Sequence, residues 1–382
     1  MRMRTGKHER RVPALRASAL VLLMLLAGCA ANPQTDTPMA APTPSPEPTI
    51  VAGVGDEIVL LDCASVVPVG AAAEVLGVPS DELTAQSSTD VATISATATV
   101  GQMMASESLR AAGHYSCRYT LGSGQEGGPV VSVSMLPDAA AEFGAVQPDS
   151  NDGLNNLAPA DLGDEAFAAC RDGEWTGCRA EVLAGTTWLS ISVGTPALDQ
   201  EAFLAYARTV TDSVAALKLA RPAGPVRPDC GYLLSPHDLT MSAGLDGPVG
   251  GDVLNLAESG SLAVAGEIRG GLVDCAWSAD TDAGRGGVTL MILPGRGGSW
   301  SAMPPGVAAS TAALAAVDLS AEPGASWPAS GVQALAGCGA DGCQVTLLAD
   351  GVWLTVVTAG ATDTTSAETL AVAAYARYVD AV

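Results

Sequence analysis

Cys178-Arg-Ala-Glu-Val-Leu-Ala-Gly-Thr-Thr-Trp188-Leu-Ser-Ile191 and Cys343-Gln-Val-Thr-Leu-Leu-Ala-Asp-Gly-Val-Trp353-Leu-Thr-Val356 are the two stretches on which the fold turns. Cysteine and tryptophan stand in the same register in both, and each stretch reads as two strands joined at a glycine turn. The first copy alternates well: Leu189, Ile191 and Val193 fall on one face of the second strand, and Trp188, Ser190 and Ser192 on the other.

Outward from this pair the match continues. Asp62-Cys63 is echoed by Asp229-Cys230, and Tyr115-Ser-Cys117-Arg-Tyr119 by Val273-Asp-Cys275-Ala-Trp277. Both copies end in Ala-Tyr-Ala-Arg, at Ala205 to Arg208 and Ala374 to Arg377. The sequence therefore predicts a duplication, with repeat domains at 56–217 and 229–382 and a linker at 218–228 carrying Pro222, Pro225 and Pro228. Each repeat is of the usual size for one hydrophobic core, about 160 residues.

Eight cysteines divide evenly between the copies: Cys63, Cys117, Cys170 and Cys178, then Cys230, Cys275, Cys338 and Cys343. First-with-second and third-with-fourth pairing is expected in each copy. The third and fourth lie close, with Asp172-Gly173 and Asp341-Gly342 supplying turn chemistry between them. The first pair closes a long loop, which stabilises by about 3–4 kcal/mol in the chain-entropy view. Zinc binding, the alternative for clustered cysteines, needs knuckle spacing or nearby histidines, and after residue 28 only His114 and His237 occur. No metal site is assigned.

Within a repeat, a short helix follows the first cysteine: Ala71 to Leu76 in one copy, and a segment opened by Ser235-Pro236-x-Asp238 in the other. Strand pairs are expected at Gly113 to Leu121 with Pro129 to Leu136, and at Leu272 to Ala279 with Gly287 to Leu293. Strands at Ala166 to Cys170, Cys178 to Ala184 and Thr187 to Gly194 precede a closing helix with its apolar stripe at Phe203, Ala207, Val210, Val214 and Leu217. In the second copy Thr365-Ser-Ala-Glu368 reads as a capping box for that helix. The fold class is α+β: two tandem disulfide-bonded sandwich domains, each a mostly antiparallel sheet packed with helices.

Asp229-Cys-Gly-Tyr-Leu-Leu-Ser-Pro-His-Asp-Leu239 with Cys275-Ala-Trp277 resembles a family of uncharacterised actinobacterial cell-envelope lipoprotein domains, here in two copies. The first copy departs from that pattern, with Val66-Val-Pro68 in place of Leu-Leu-Ser-Pro and Tyr119 in place of the tryptophan. The resemblance implies a fold and a location; similar modules form extracellular sensor domains of receptor kinases.

The N-terminus agrees with that location. Basic residues from Arg2 to Arg16 precede an apolar stretch, Ala17 to Ala27, that is too short to span a bilayer needing about 20 residues. It ends in Leu26-Ala-Gly-Cys29, which resembles the bacterial lipobox. By that resemblance residues 1–28 are a lipoprotein signal peptide, Cys29 carries the lipid, and the protein sits on the outer face of the cytoplasmic membrane. Residues 29–55, rich in Pro, Thr and Ser, read as an extended tether.

Removing residues 1–28 takes six basic residues and Glu9 from totals of 18 and 41, leaving 12 − 40 = −28. Nucleic acid is excluded as a partner, since phosphate binding needs clustered Lys and Arg, and only Lys218, Arg221 and Arg227 approach that. Broad contact with anionic membrane or wall polymers is disfavoured by the same charge. Gly122-Ser-Gly-Gln-Glu-Gly127 spells a dinucleotide-binding pattern, but it leads through Pro129 into a strand, not a helix, and reads as a hairpin loop. His114 at a strand start and His237 in a first helical turn fit surface or capping roles better than catalysis, and Asp164-Glu165 and Asp280 with Asp282 read as solvated carboxylates. No catalytic residue and no cofactor are assigned.

Trp188 and Trp353 are expected in the core beneath the closing helix. Trp300 and Trp327, in Gly/Pro/Ser-rich loops of the second copy, either plug the core edge or face a ligand, and are the ligand-binding candidates. The function expected is that of a lipid-anchored surface binding or sensor-type protein, not an enzyme, taking an envelope protein or a small apolar or peptidic ligand. An envelope hydrolase and a structural spacer are the alternatives. Intact-mass analysis of the purified protein without reductant should find an acylated Cys29 N-terminus and no free thiol among the other eight cysteines. Free thiols or an unacylated terminus would remove the basis for this address.

Overall fold

Asp62 and Asp229 each accept a backbone N–H from two residues ahead, Ala64 at 3.3 Å and Gly231 at 2.8 Å, and so cap a one-turn helix that starts with the first cysteine. That is the physical content of the repeated Asp-Cys: the cap starts the helix and the cysteine ties it to a strand. The computed structural model describes residues 61–87, 99–122, 128–146, 157–171, 176–196, 198–217, 224–281, 284–295 and 326–382, with shorter pieces at 219 and between 300 and 324. Cys29 and the tether lie outside the described residues.

Repeat 1 runs α1 (Cys63–Val66), α2 (Val69–Leu76), a 3-10 turn (Ser80–Glu82), β1 (Leu83–Ser87), α3 (Val100–Ala111), β2 (Tyr115–Leu121), β3 (Val130–Leu136), α4 (Ala140–Phe143), β4 (Ala158–Pro159), β5 (Glu165–Arg171), β6 (Thr176–Ala184), β7 (Thr187–Thr195) and α5 (Gln200–Ala215). Repeat 2 runs α6 (Cys230–Leu233), α7 (Pro236–Ala243), β8 (Val249–Asp252), α8 (Leu256–Ser259), α9 (Leu262–Arg269), β9 (Val273–Thr281) and β10 (Gly284–Leu293). It continues through β11 (Ala308–Ala309) paired with β12 (Ala312–Ala313), then β13 (Ala315–Ala316), β14 (Val332–Gly339), β15 (Gly342–Ala349), β16 (Val352–Ala359) and the closing helix α10 (Thr365–Ala381).

Both sheets are seven-stranded and antiparallel, ordered β1-β2-β3-β7-β6-β5-β4 and β8-β9-β10-β16-β15-β14-β13. Position by position the orders are the same, so the duplication covers the whole topology. All four expected disulfides are present. Cys170–Cys178 and Cys338–Cys343 join residues directly opposite each other in their ladders, each with Cα atoms 4.0 Å apart. Cys63–Cys117 and Cys230–Cys275 tie α1 to β2 and α6 to β9. Ser235 caps α7 with Pro236 at its first position, as expected, but α10 begins one residue early relative to the expected box, with Thr364 as cap donating through Oγ1 to Glu368 at 2.6 Å.

Each sheet has two faces to cover. On one, α5 places Phe203, Ala207, Val210 and Val214 against Leu189, Ile191 and Val193, while α10 places Leu370, Ala371, Ala374 and Tyr375 against Leu354 and Val356. Strand alternation sends Trp188 and Trp353 to the opposite faces. This corrects the expectation that they lie beneath the closing helices. Their covers come from the other repeat: α3 of repeat 1 packs on β10 and β16, with Val100, Met103 and Met104 against Trp353, and α9 of repeat 2 packs on β3 and β7, with Leu262 and Ala265 against Trp188. The two helices also cross each other. The repeats thus exchange helices across the 218–228 joint and belong to one compact unit.

The exchanged layer is specific. Arg269, at the end of α9 with its side chain 1% exposed, donates to the carbonyls of Pro137 and Asp138 and pairs with Glu142 of repeat 1 at 2.7 Å. Trp188 Nε1 donates to the Glu181 carboxylate at 2.6 Å, which also accepts from Ser190 and Arg179; the corresponding Trp353 Nε1 donates to Thr346 Oγ1 at 2.9 Å. Burial raises the Glu181 pKa against the lowering effect of Arg179 and these hydrogen bonds.

Where α3 and α9 cross, a Cβ added to Gly270 would meet the backbone oxygen of Ser108 at 1.9 Å. Backbone cannot swing aside as a side chain can. Gly270→Ala should therefore destabilise the whole unit by about 1–3 kcal/mol, read from the midpoint of denaturant unfolding. An unchanged midpoint would mean that the crossing is looser than described.

Candidate functional site

The Ala-Tyr-Ala-Arg signature reaches back to the opening of its repeat. Arg377 on α10 grips Asp238 of α7 with both terminal nitrogens, at 2.6 and 3.0 Å, and donates to the Leu233 carbonyl of α6 at 2.9 Å. Burial opposes the charge on Asp238, but the Arg377 and Ser235 hydrogen bonds outweigh it and hold the pKa down at about 2. In repeat 1, where the Ser-Pro-x-Asp element is missing, Arg208 donates to the Asp161 carbonyl at 3.1 Å instead.

This clamp fixes α6 and α7 on α10, and α6 also touches β8. Those elements carry an unusual surface. Tyr232 of α6, Met241 of α7, Val249 of β8 and Val253 just after it are 48, 71, 68 and 51% exposed. Val226, Val379 and Val382 are exposed in the same half, whereas Val69 is the only large apolar residue so exposed in repeat 1 among the described residues. Contiguous exposed apolar surface marks interaction sites more often than singly scattered side chains do, and α6, carrying Tyr232, touches β8, carrying Val249.

Charge lies beside that surface. Arg227 donates to the Leu272 carbonyl at 2.7 Å and pairs with Asp252 of β8 at 3.3 Å. Asp274 of β9 has a buried Oδ1 with no hydrogen-bond partner among the described residues. Its pKa is pushed up to about 6, by burial first and then by the Asp252 charge, with Arg227 offsetting part. Glu267 of α9 is raised too, by burial and by Asp274.

The residues expected to bind ligand are placed otherwise. Trp300 is buried, edge-on to Trp353 with ring centroids 5.9 Å apart, just as Phe143 stands edge-on to Trp188 at 5.7 Å in repeat 1. It follows Leu293 by the spacing at which Phe143 follows Leu136, so it is the repeat counterpart of a core residue. Trp327 is half-buried, rests on Tyr375 with centroids 5.0 Å apart and donates through Nε1 to the Leu319 carbonyl at 2.9 Å. Both rings fill edges of cores, a result of the loops folding back over the sheet.

His114 also departs from expectation. It lies half-buried beside Gly266 of α9, and burial lowers its pKa to about 4. His237 is exposed. Asp164 accepts the Gly185 N–H at 2.6 Å and so braces the turn between β6 and β7. The side chains of Asp280 and Asp282, most of the glycine loop at 123–127, and Trp175 lie outside the described residues. Among the described residues no group of three His, Cys, Asp or Glu could hold a metal ion, and no helix is long and apolar enough to cross a membrane.

The apolar surface escaped the sequence reading because Val249-Gly-Gly-Asp252 looks like a turn, and single exposed residues on short helices carry no periodic signal. Comparison with family models, with curated proteins and with solved structures found no match to this chain.

His114 and Asp274 set opposite pH dependences. A histidine whose folded pKa is about 4 against 6.5 stays neutral in the fold while the unfolded chain binds a proton, so stability falls as pH drops from 6.5 to 4. A carboxyl at about 6 against 3.8 is protonated in the fold first, so stability rises as pH drops through that window. Each effect is on the order of 3 kcal/mol at most. Relative to the parent protein, His114→Gln should gain stability between pH 7 and pH 4 and Asp274→Asn should lose it, as read by denaturant unfolding at each pH. Parallel profiles would refute both assignments.

Proposed function

We propose that this chain is a lipid-anchored, extracytoplasmic binding protein of the actinobacterial envelope-lipoprotein type, in which repeat 2 presents the recognition surface and repeat 1 braces it. The observation that carries the reading is the concentration of exposed apolar side chains on α6, α7 and β8 of one repeat of a duplicated fold. Among the described residues, repeat 1 exposes only Val69 of its large apolar side chains. The leader ending in Leu26-Ala-Gly-Cys29 and the four disulfides support an oxidising location outside the cytosol. The Pro-rich stretch at 29–55 would hold the folded unit away from the bilayer, within reach of envelope proteins.

The surface suits a protein or peptidic ligand better than a small buried one. Its apolar side chains are 48 to 71% exposed, and the indoles of Trp300 and Trp327 pack on Trp353 and Tyr375. In cells, a photo-reactive benzophenone side chain at position 232 should give discrete cross-linked adducts with an envelope protein, while the same group at position 69 should give none. Equal yields at the two positions, or no adduct at 232, would overturn the assignment of recognition to repeat 2.

A further inference from the structure

β8 is the last strand of its sheet, and β9 is its one ladder partner among the described residues. An edge strand presents a row of backbone N–H and C=O groups that must find water or another strand. Proteins commonly guard such edges with lysine, proline or a covering element. Val249-Gly-Gly-Asp252 holds neither residue within the strand, with Pro248 just before it and Asp252 at its end, and the two glycines between carry no side chain to hold another chain off. Gly250 is required where it stands: at φ +144 an added Cβ would fall 2.0 Å from the Ala276 carbonyl oxygen, so β8 lies tight against β9 with its other edge outward. In repeat 1 the residues that follow the equivalent strand β1 lie outside the described ones, whereas everything from Gly244 to Gly271 around β8 is described.

Charge complementarity selects the occupant. Asp246 and Asp252 are exposed on or next to β8, Asp252 in a 3.3 Å pair with Arg227, and the carboxyl of Asp274 on β9 lies buried behind them. A second copy of this chain would bring the same carboxylates edge to edge, on a protein whose mature charge is 12 − 40 = −28. We propose that the open edge of β8 takes an extended basic peptide segment of a partner protein as an added strand, its apolar side chains resting beside Val249, Val253 and Tyr232. Backbone hydrogen bonds would supply most of the affinity, the valines and tyrosine the side-chain preference, and the carboxylates the demand for Lys or Arg. This rests on repeat 2 being the recognition surface and adds the class and conformation of the partner.

The test uses the full-length chain and fluorescence anisotropy of a labelled peptide, Lys-Val-Thr-Val-Thr-Val-Lys. Two derivatives are N-methylated on alternate residues, so that each loses one of its two hydrogen-bonding edges, and a third carries Glu at both ends. The parent peptide should bind; one N-methylated form should bind at least about tenfold more weakly while the other keeps its affinity; the Glu-ended form should also lose about tenfold. Val249→Lys, which removes the apolar contact and adds a like charge, should weaken the parent peptide without changing the unfolding midpoint. Equal binding of both N-methylated forms, equal binding of the Glu-ended form, no binding of the parent peptide, or self-association of the protein through this edge in sedimentation would each overturn the proposal. An adduct at position 232 in cells together with failure of the peptide would sink strand addition alone and leave the surface assignment standing.

Discussion

Each sheet in this protein has a second apolar face that its own repeat covers only in part, and that constraint organises everything else. Trp188 and Trp353, both fully buried, are the centres of those faces. Removing a tryptophan from water is worth several kcal/mol, so a face built around one cannot be left open. The cover is a helix borrowed from the other repeat, α3 over Trp353 and α9 over Trp188. Because the loan is mutual, neither repeat completes its core without the other. Two tandem sandwich domains in topology are one body in energetics.

The disulfides and caps work on the outer faces of that body. Asp-Cys begins a one-turn helix and ties it to a strand in both copies, so the segment carrying α1 or α6 is held although it is too short to be stable as a helix alone. In repeat 2 the Arg377 to Asp238 clamp adds a second restraint between the first and last elements. Rigid presentation lowers the ordering cost of binding. Repeat 1 lacks that clamp, and under its tryptophan stands a buried carboxylate, Glu181, where repeat 2 has Thr346. The copies thus differ in opposite respects, one in an internal polar network and one in its exposed apolar side chains.

On the proposal above, a strongly acidic chain with apolar residues around an open strand edge would combine two kinds of selectivity. Long-range charge would turn away anionic polymers and other copies of the chain, and short-range edge pairing would select extended backbone. Behind this edge burial pushes the partly buried Asp274 up to about 6, and burial with the Asp274 charge raises Glu267 as well, so part of the negative field from Asp274 weakens as the medium acidifies.

Much of this was legible in the sequence. Two-residue periodicity located the central strands, the shared spacing of Cys, Trp and Ala-Tyr-Ala-Arg exposed the duplication, and the cysteine order gave all four disulfide pairs, because each of these is a local pattern with a local cause. The exchanged helices were within reach too: Val100, Met103 and Met104 follow helical spacing, and Thr99 with Gln102 forms a capping box. What no local pattern could state is which sheet those helices cover, since an apolar stripe specifies burial and not a partner. The same limit left the surroundings of Trp300 and Trp327 open, since a loop setting does not say whether a ring plugs a core edge or faces a ligand, and it hid the edge of β8, whose openness is a property of strand order. Identity along the chain determined the elements, the cross-links and the repeat; the allocation of faces, edges and solvent was decided by tertiary packing, because burial depends on what arrives from elsewhere in the chain.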